Sequence, residues 1–536
     1  MPRLALDYVS PLPPVRSGIA DYSTDLLPHL DPLCDLRVVR VPGQEVGAEV
    51  EGRWQPLDAE LLGQDGRLPL FHMGNNRYHE AVLELALANP GVVVLHDLVM
   101  HHLLVERTLG KEAVLEPYQL KLAAEHGWVG AAAAESRRWC ELGQAAMFEL
   151  AAHRSLLESQ RGVLVHSQWA ASRLTREHPD LAVRHVPMAM PLPDRLDPAA
   201  GKDLRQRLEI PEGAPLLGSF GFQTPIKRTD VVVDALARPE LEDAHLLIAG
   251  ELSPALDVAG RAKELGLSDR VHVTGFLPFE DLEAAIAACD LCANLRYPTA
   301  GETSASLLRV LAVGRAAIVS DYAQFAELDD AAVLKVPLGE GEVEALAKAA
   351  GDLLADREKL VAMGEAARET VRRKHDPDRA AERIVEACSE VAQLDPPGPA
   401  PAWEQAPSTL IWLDLPGELT VDGWDRQWPV GARRELTIEL ANTGFSRWLA
   451  TGSDPGGVLV EMQWRTEATG ETLSEDWLRL PTDLAPGEER TFTIETRRPP
   501  GALSLVIEPH VRGVSGFHEL GGPRRILEVD EASTTA

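Results

Sequence analysis

The stretch PLLGSFGFQTPIKRTDVVVDAL, residues 215–236, reads as a buried strand, a tight turn and a helix in immediate succession. The run LLGSF is too short for a helix, Gly218 and Gly221 punctuate it, and the apolar period then shifts to that of a helix. A strand delivered straight into a helix is the half-unit of a parallel sheet. The pattern recurs on both sides. Downstream, AHLLIAG, RVHVTG, DLCANL and AAIVSD read as strands with helical stretches between them, closed by helices near 342–354, 357–373 and 377–392. Upstream, LALDYV, LRVVRV, LPLFHM, GVVVLH and GVLVHS repeat it from Leu4 to about Pro187. Two α/β domains are expected, residues 1–187 and 188–394, with the last helix returning to the first domain.

After them the texture changes. The segment DPPGPAPAWEQAPS, residues 395–408, is rich in proline, lacks an apolar period and reads as an extended linker. Between 409 and 531, short β-rich runs (ELTIEL, VLVEMQW, TFTIET, LSLVIEP) alternate with turn signals such as DG, TG, DPGG and PGE. An antiparallel, immunoglobulin-like all-β sandwich is expected. It carries Trp412, Trp424, Trp428, Trp448, Trp464 and Trp477 and no lysine. Core packing is the favoured use of these indoles, and a sugar-holding platform the second.

Bulk composition excludes several classes. The 536 residues carry a formal charge of −31, which argues against a partner held through phosphate neutralisation, so nucleic acid is not expected. The amino-terminal sequence MPRLALDYVSPLPP lacks the apolar core of a secretory signal, and no run reaches the roughly 18 apolar residues of a membrane span. A cytoplasmic protein is expected. Cys34, Cys140, Cys289, Cys292 and Cys388 are odd in number and scattered, as reduced thiols are. The C-x-x-C of Cys289 and Cys292 lacks a second ligand pair and reads as buried small residues.

Four stretches carry chemistry. In PLPPVRSGIADYS, residues 11–23, Gly18 lets a ligand approach the main chain where a helix begins near Ile19 and presents free N–H groups to an anion. In HMGNNRYH and VVVLHDLVMHHLL, the histidines His72, His96, His101 and His102 and the pair Asn75 and Asn76 fall at strand ends, where ligands of open α/β sheets lie. Metal binding is the competing reading, though no regular H-x-x-x-H or carboxylate cluster supports it. In residues 215–236, Lys227 and Arg228 are expected in the first turn of a helix after the Gly218 and Gly221 turn, two cations for a diphosphate. In NLRYPTAGETSASLLRVLAVG, residues 294–314, Glu302 precedes a helix capped by Thr303 or Ser304, so free amides face whatever the carboxylate binds. A sugar joined to phosphate suits that arrangement.

At these residues the chain resembles the large GT-B family of retaining glycosyltransferases numbered family 4, over residues 4–393. SGIADYS looks like the family's first glycine loop, VLHD its sugar-contacting histidine strand, KR its basic pair, and GETSASLLRVLAVG a variant GETS form of its E-x7-E region. The resemblance implies two Rossmann-like domains and transfer of a hexose from a nucleotide sugar to a glycan or lipid-linked acceptor, as in surface polysaccharide synthesis. It implies that His96 and Glu302 touch the donor sugar, that Lys227 and Arg228 hold the diphosphate, and that Phe276, after Gly275, faces the base; Gly18, Gly221, Thr303, Ser304 and Arg309 complete the expected donor-binding positions. No metal or other cofactor is implied, and peripheral membrane contact is left open. Glu327 in SDYAQFAELDD occupies a position common in the family.

One departure stands out. The family's second glutamate falls at Val310 counted from Glu302, or at Arg309 counted back from Gly314, and neither is a carboxylate. Arginine only donates hydrogen bonds, so a ribose would lose an acceptor worth roughly 1.5–3 kcal/mol. The implied mechanism is front-face substitution, in which the cations stabilise the departing nucleoside diphosphate and a phosphate oxygen assists the acceptor hydroxyl. A glycosidase would need a second carboxylate beside Glu302, and a phosphorylase would need a cofactor lysine pocket. The rival of another class is a glycan-binding or scaffold protein with a degenerate site.

Overall fold

The computed structural model describes the chain except residues 1–2, 113–114, 139–145, 194–197, 399–407, 410–414, 445, 451–456, 468–469, 513–514 and 531–536. Cys140, Trp412 and the middle of the proline-rich segment lie outside the described residues. The chain divides into two compact units, residues 1–114 with 151–400, and residues 115–150 with 401–536.

The first unit contains both α/β domains. Strands β1 (Ala5–Val9), β2 (Asp35–Val39), β3 (Leu68–Met73), β4 (Val92–Leu95), β5 (Gly162–Val165) and β6 (Val183–His185) form a parallel sheet in the order β2-β1-β3-β4-β5-β6. Strands β7 (Leu216–Phe220), β8 (His245–Ala249), β9 (Val271–Gly275), β10 (Leu291–Asn294), β11 (Ala316–Ser320) and β12 (Val333–Val336) form the second, in the order β12-β11-β10-β7-β8-β9. Strands such as β3, β7, β8 and β11 are buried along their whole length, because helices cover both sheet faces and no alternation is needed. The order reverses between β1 and β3 in one sheet and between β7 and β10 in the other, and the crevices outside those strand ends are where such sheets take ligands.

The helix Pro377–Val391 follows the second domain but packs on the first. Its Ala380, Ile384 and Val391 share a core with Leu27 and Leu30, and Asp378 meets His29 at 2.6 Å. Met190 N donates to His375 O where the chain crosses between domains.

In the second unit, β13 (Gly417–Asp422), β14 (Arg433–Asn442) and β17 (Glu489–Arg497) make one antiparallel sheet. The other contains β15 (Val458–Arg465), β16 (Thr472–Arg479), β18 (Ser504–Val511), β19 (Ser515–Gly516) and β20 (Arg525–Glu528). Burial alternates along β14, as it does when one face meets a partner sheet. Trp428, Trp448 and Trp464 are fully buried. Trp464 donates through Nε1 to Thr496 Oγ1 at 3.0 Å, from one sheet to the other, and stands edge-on to Trp428. These indoles serve the core, and Trp477 alone among the described ones is exposed by more than a third. Arg447 reaches Glu149 at 3.2 Å, tying the 115–150 segment to the β region.

Candidate active site

The loops after β7 and β10 meet at the second sheet's switch point. Gly221 takes φ +85°, and a Cβ there would stand 2.8 Å from Lys227 Nζ, so glycine is required both by conformation and by the lysine it makes room for. Lys227 ends a short 3-10 turn, Pro225–Lys227, and donates to Phe220 O at 2.7 Å. Burial, and then the neighbouring Arg296 charge, press its ammonium down to about 7. A cation so held gains most from an anion that restores the lost solvation.

Arg228 does otherwise. It occupies the left-handed region at φ 52°, ahead of the helix Thr229–Leu236, and forms a two-pronged pair with the buried carboxylate of Glu342, Nε to Oε1 at 2.7 Å. The basic pair thus precedes the helix instead of lying in its first turn, and its members diverge. Lys227 points into the crevice, while Arg228 braces the loop against the 342–355 helix.

After β10, Arg296 is buried and ion-pairs through Nε with Glu302 Oε1 at 2.7 Å. Thr299 Oγ1 donates to Glu302 Oε2 at 3.0 Å. Gln324 Nε2 donates to Thr299 Oγ1 at 2.8 Å and to Glu302 O at 2.7 Å. Both carboxylate oxygens of Glu302 are therefore engaged by the protein, with 19 % of the side chain still exposed. Of the two expected caps, Ser304 is the one used, accepting from Leu307 N at 3.2 Å. The first turn of the helix Ala305–Val313 thus lies beside Gly221, where a Gly221 Cβ would stand 3.6 Å from the Ser306 side chain.

Across the crevice, His96 stands in a buried cluster. Its Nε2 meets His72 Nδ1 at 3.1 Å, and its ring lies 4.8 Å from His166 and 5.1 Å from Tyr22. Burial, and then the other imidazoles, hold His96 and His72 far below the usual histidine range, so both are neutral at pH 7. Asn75 organises the neighbouring turn, with Oδ1 accepting from Leu103 N at 2.9 Å and Nδ2 near His102 Nδ1 at 2.9 Å. Asn75 N donates to Asp97 Oδ2 at 3.0 Å.

Asp97 is the residue that sequence reasoning missed. Burial, and then the Glu302 charge, push its carboxyl up to about 7. A second carboxyl thus comes within electrostatic reach of Glu302 from the other domain. The only signal was the acidic residue following His96 at the strand end. The domains also touch here through Val99 N to Ala300 O at 3.0 Å. Gly301 takes φ +80°, and a Cβ on it would strike Leu98 at 2.7 Å.

On the opposite side, Ser17 caps the helix Gly18–Leu30. Gly18 is not in the left-handed region, and a Cβ there would meet nothing within 4 Å. Its smallness leaves open space and serves no unusual backbone angle. Arg16 lies over the exposed Phe276 ring at 5.8 Å. Arg309 stacks on Phe279 at 3.8 Å. Burial lowers its pKa, partly offset by Asp25, Glu283 and Asp21. Arg309 is thus committed to an acidic and aromatic surround.

Glu327 bridges the domains. Its two oxygens accept from Gln168 N and Trp169 N, each at 2.9 Å, at the start of the helix Gln168–Glu177. Elsewhere, among the described residues, His153, Glu177 and His178 form the one group of three metal-capable side chains whose ligand atoms lie within 4.8 Å of one another.

The family profile described as "Glycosyl transferases group 1" matches residues 201–370. The 2-deoxystreptamine glucosyltransferase of Streptomyces kanamyceticus is 35% identical over 106 residues, 18% of this chain and 27% of that protein. A GDP-mannose-dependent alpha-(1-6)-phosphatidylinositol monomannoside mannosyltransferase of Mycobacterium tuberculosis is 31% identical over 185 residues, 33% of this chain and 48% of that protein. The chain thus matches about half, or less, of the length of these relatives. The crystal structure of Anabaena HepE in complex with UDP-glucose covers 72% of this chain with all of its own, at TM-score 0.50 and 16% identity, a likeness of fold. Residues 201–370 thus match the group 1 glycosyl transferase profile, in a chain whose first unit has the two-sheet GT-B fold.

Proposed function

We propose that this chain is a glycosyltransferase that moves a sugar, with retention of anomeric configuration, from a nucleotide-sugar donor to a glycan or glycolipid acceptor. The observation that carries the reading is the convergence on Gly221 of the Lys227 ammonium and of Ser306, in the first turn of the Ala305–Val313 helix. A diphosphate placed there meets a charge that the protein has partly desolvated and a helix start that needs acceptors. The bond from the anomeric carbon to the diphosphate breaks as the acceptor oxygen approaches the same face, and the acceptor proton passes to a phosphate oxygen. Lys227 and the amides stabilise the growing negative charge. Neutral His96 orients the sugar, and Glu302 reaches its hydroxyls by exchanging its bond with Thr299.

The names of the relatives, a glucosyltransferase and a GDP-mannose-dependent mannosyltransferase, support a hexose donor. No described helix is long and apolar enough to cross a membrane. The reading is tested by incubating the protein with UDP-, GDP- and ADP-hexoses and a lipid-extract acceptor. Release of nucleoside diphosphate with an α-linked product is expected. Failure to consume any of these donors, together with tight oligosaccharide binding, would favour the scaffold reading.

A further inference from the structure

A cavity of about 220 Å³ lies on the other flank of the Ala305–Val313 helix. Ser304, Leu307 and Leu308 face it, whereas Ser306, about half a helical turn away, faces Gly221. The far wall is the start of the Gln168–Glu177 helix, and His166 and Gln324 line the space between. At roughly 30 Å³ per water, this is room for about seven waters. It is below the roughly 300 Å³ at which drug-sized pockets begin, and suits one six-membered ring better than a nucleotide.

Two buried acceptors in its lining have no partner. His166, 7% exposed, gives its Nδ1 hydrogen to Val186 O at 2.8 Å, which leaves Nε2 with a lone pair and no donor. Gln324, 5% exposed, is fixed in orientation by its two donations to Thr299 Oγ1 and Glu302 O, and its Oε1 is left unmatched. Glu327, on the same wall, has both oxygens satisfied by Gln168 and Trp169 amides. Unpaired buried acceptors are costly and call for donors. Two acceptors that cannot donate match the hydroxyl groups of a ligand; Lys374 also lines the cavity and adds a further donor.

We propose that this cavity takes one hydroxylated six-membered ring, a sugar ring of the donor or of the acceptor, whose hydroxyls donate to His166 Nε2 and Gln324 Oε1. The inference rests on the transferase reading. It adds that Gln324, holding the ring with its oxygen and the Glu302 loop with its nitrogen, couples ring occupancy to the position of Glu302.

Leu328 also lines the cavity, and Leu328→Trp fills it without touching Lys227, His96 or Glu302. Titration calorimetry of wild type and variant with UDP, GDP, UDP-glucose and GDP-mannose reads the donor arm. Saturation-transfer NMR with methyl α-glucoside and methyl α-mannoside reads the acceptor arm. If the donor ring sits here, the variant binds the nucleotide sugar at least tenfold more weakly and the free diphosphate within twofold of wild type. If the acceptor ring sits here, the donor titrations are unchanged and the saturation transfer seen in wild type is lost. Leu328→Phe, which fills less of the cavity from the same position, should give the same pattern should Leu328→Trp not fold. Intact diphosphate binding with both ring arms unaltered in the variants overturns the ring site alone, whereas no diphosphate binding in wild type overturns the transferase reading beneath it.

Discussion

Lys227 carries a charge that depends on pH within the physiological range. Burial and Arg296 lower it to about 7, so in the free protein the ammonium is lost as pH rises through 7. A bound diphosphate restores the opposite charge and raises that pKa, and binding at pH 8 should therefore take up a proton. Calorimetry in two buffers of different ionisation enthalpy at pH 8 should show uptake of up to about one proton, absent in Lys227→Met, with affinity falling above pH 7. Asp97 titrates in the opposite sense for stability. Its carboxyl is raised to about 7, so the folded state holds a proton that the unfolded chain releases near 4. The contribution is present below pH 4 and lost as pH rises through 7. Asp97→Asn should therefore come nearest to wild type in urea melts near pH 4 and exceed it by a growing margin up to pH 8; the same difference at both ends would refute the shift. Arg228→Ala should cost about 3 kcal/mol of stability, because Glu342 is left buried and unpaired. Lys227 was legible in the sequence because a glycine turn announces it. The diversion of Arg228 was not, since Glu342 lies 114 residues downstream.

The strands around the crevice were legible as apolar runs, since both sheet faces are covered and the run needs no alternation. Strands β6, β12, β13, β16 and β20 escaped notice, because short or exposed strands such as β16 present little apolar signal. Contacts that close one domain on the other were beyond reach for the same reason as Glu342: Glu327 and the Gln168–Glu177 helix have no local relation. The Gly301 contact offers the sharpest check on that closure. Its φ of +80° and the 2.7 Å approach of Leu98 to a would-be Cβ mean that Gly301→Ala must strain the backbone and push the domains apart, at about 1–3 kcal/mol. Urea melts should register the loss, and small-angle scattering an increase in radius of gyration. A variant as stable and compact as wild type would show that the domains are not held there.

At the scale of the whole molecule, the two α/β domains and the β region were readable from period and turn chemistry, and three of the tryptophans are the core of the latter. That residues 115–150 cluster with the β region left no trace in sequence, since it depends on buried polar partners such as Glu149 and Arg447. What the molecule does hinges on the first unit's crevice. The direct measurement is titration calorimetry of UDP, GDP and ADP against wild type and Lys227→Ala at pH 7. One nucleotide should bind, and the variant should lose roughly ten- to a hundredfold in affinity, the worth of one charge-assisted contact at roughly 1.5–3 kcal/mol. Absence of binding by all three, or equal affinity in the variant, would contradict a diphosphate site at Lys227.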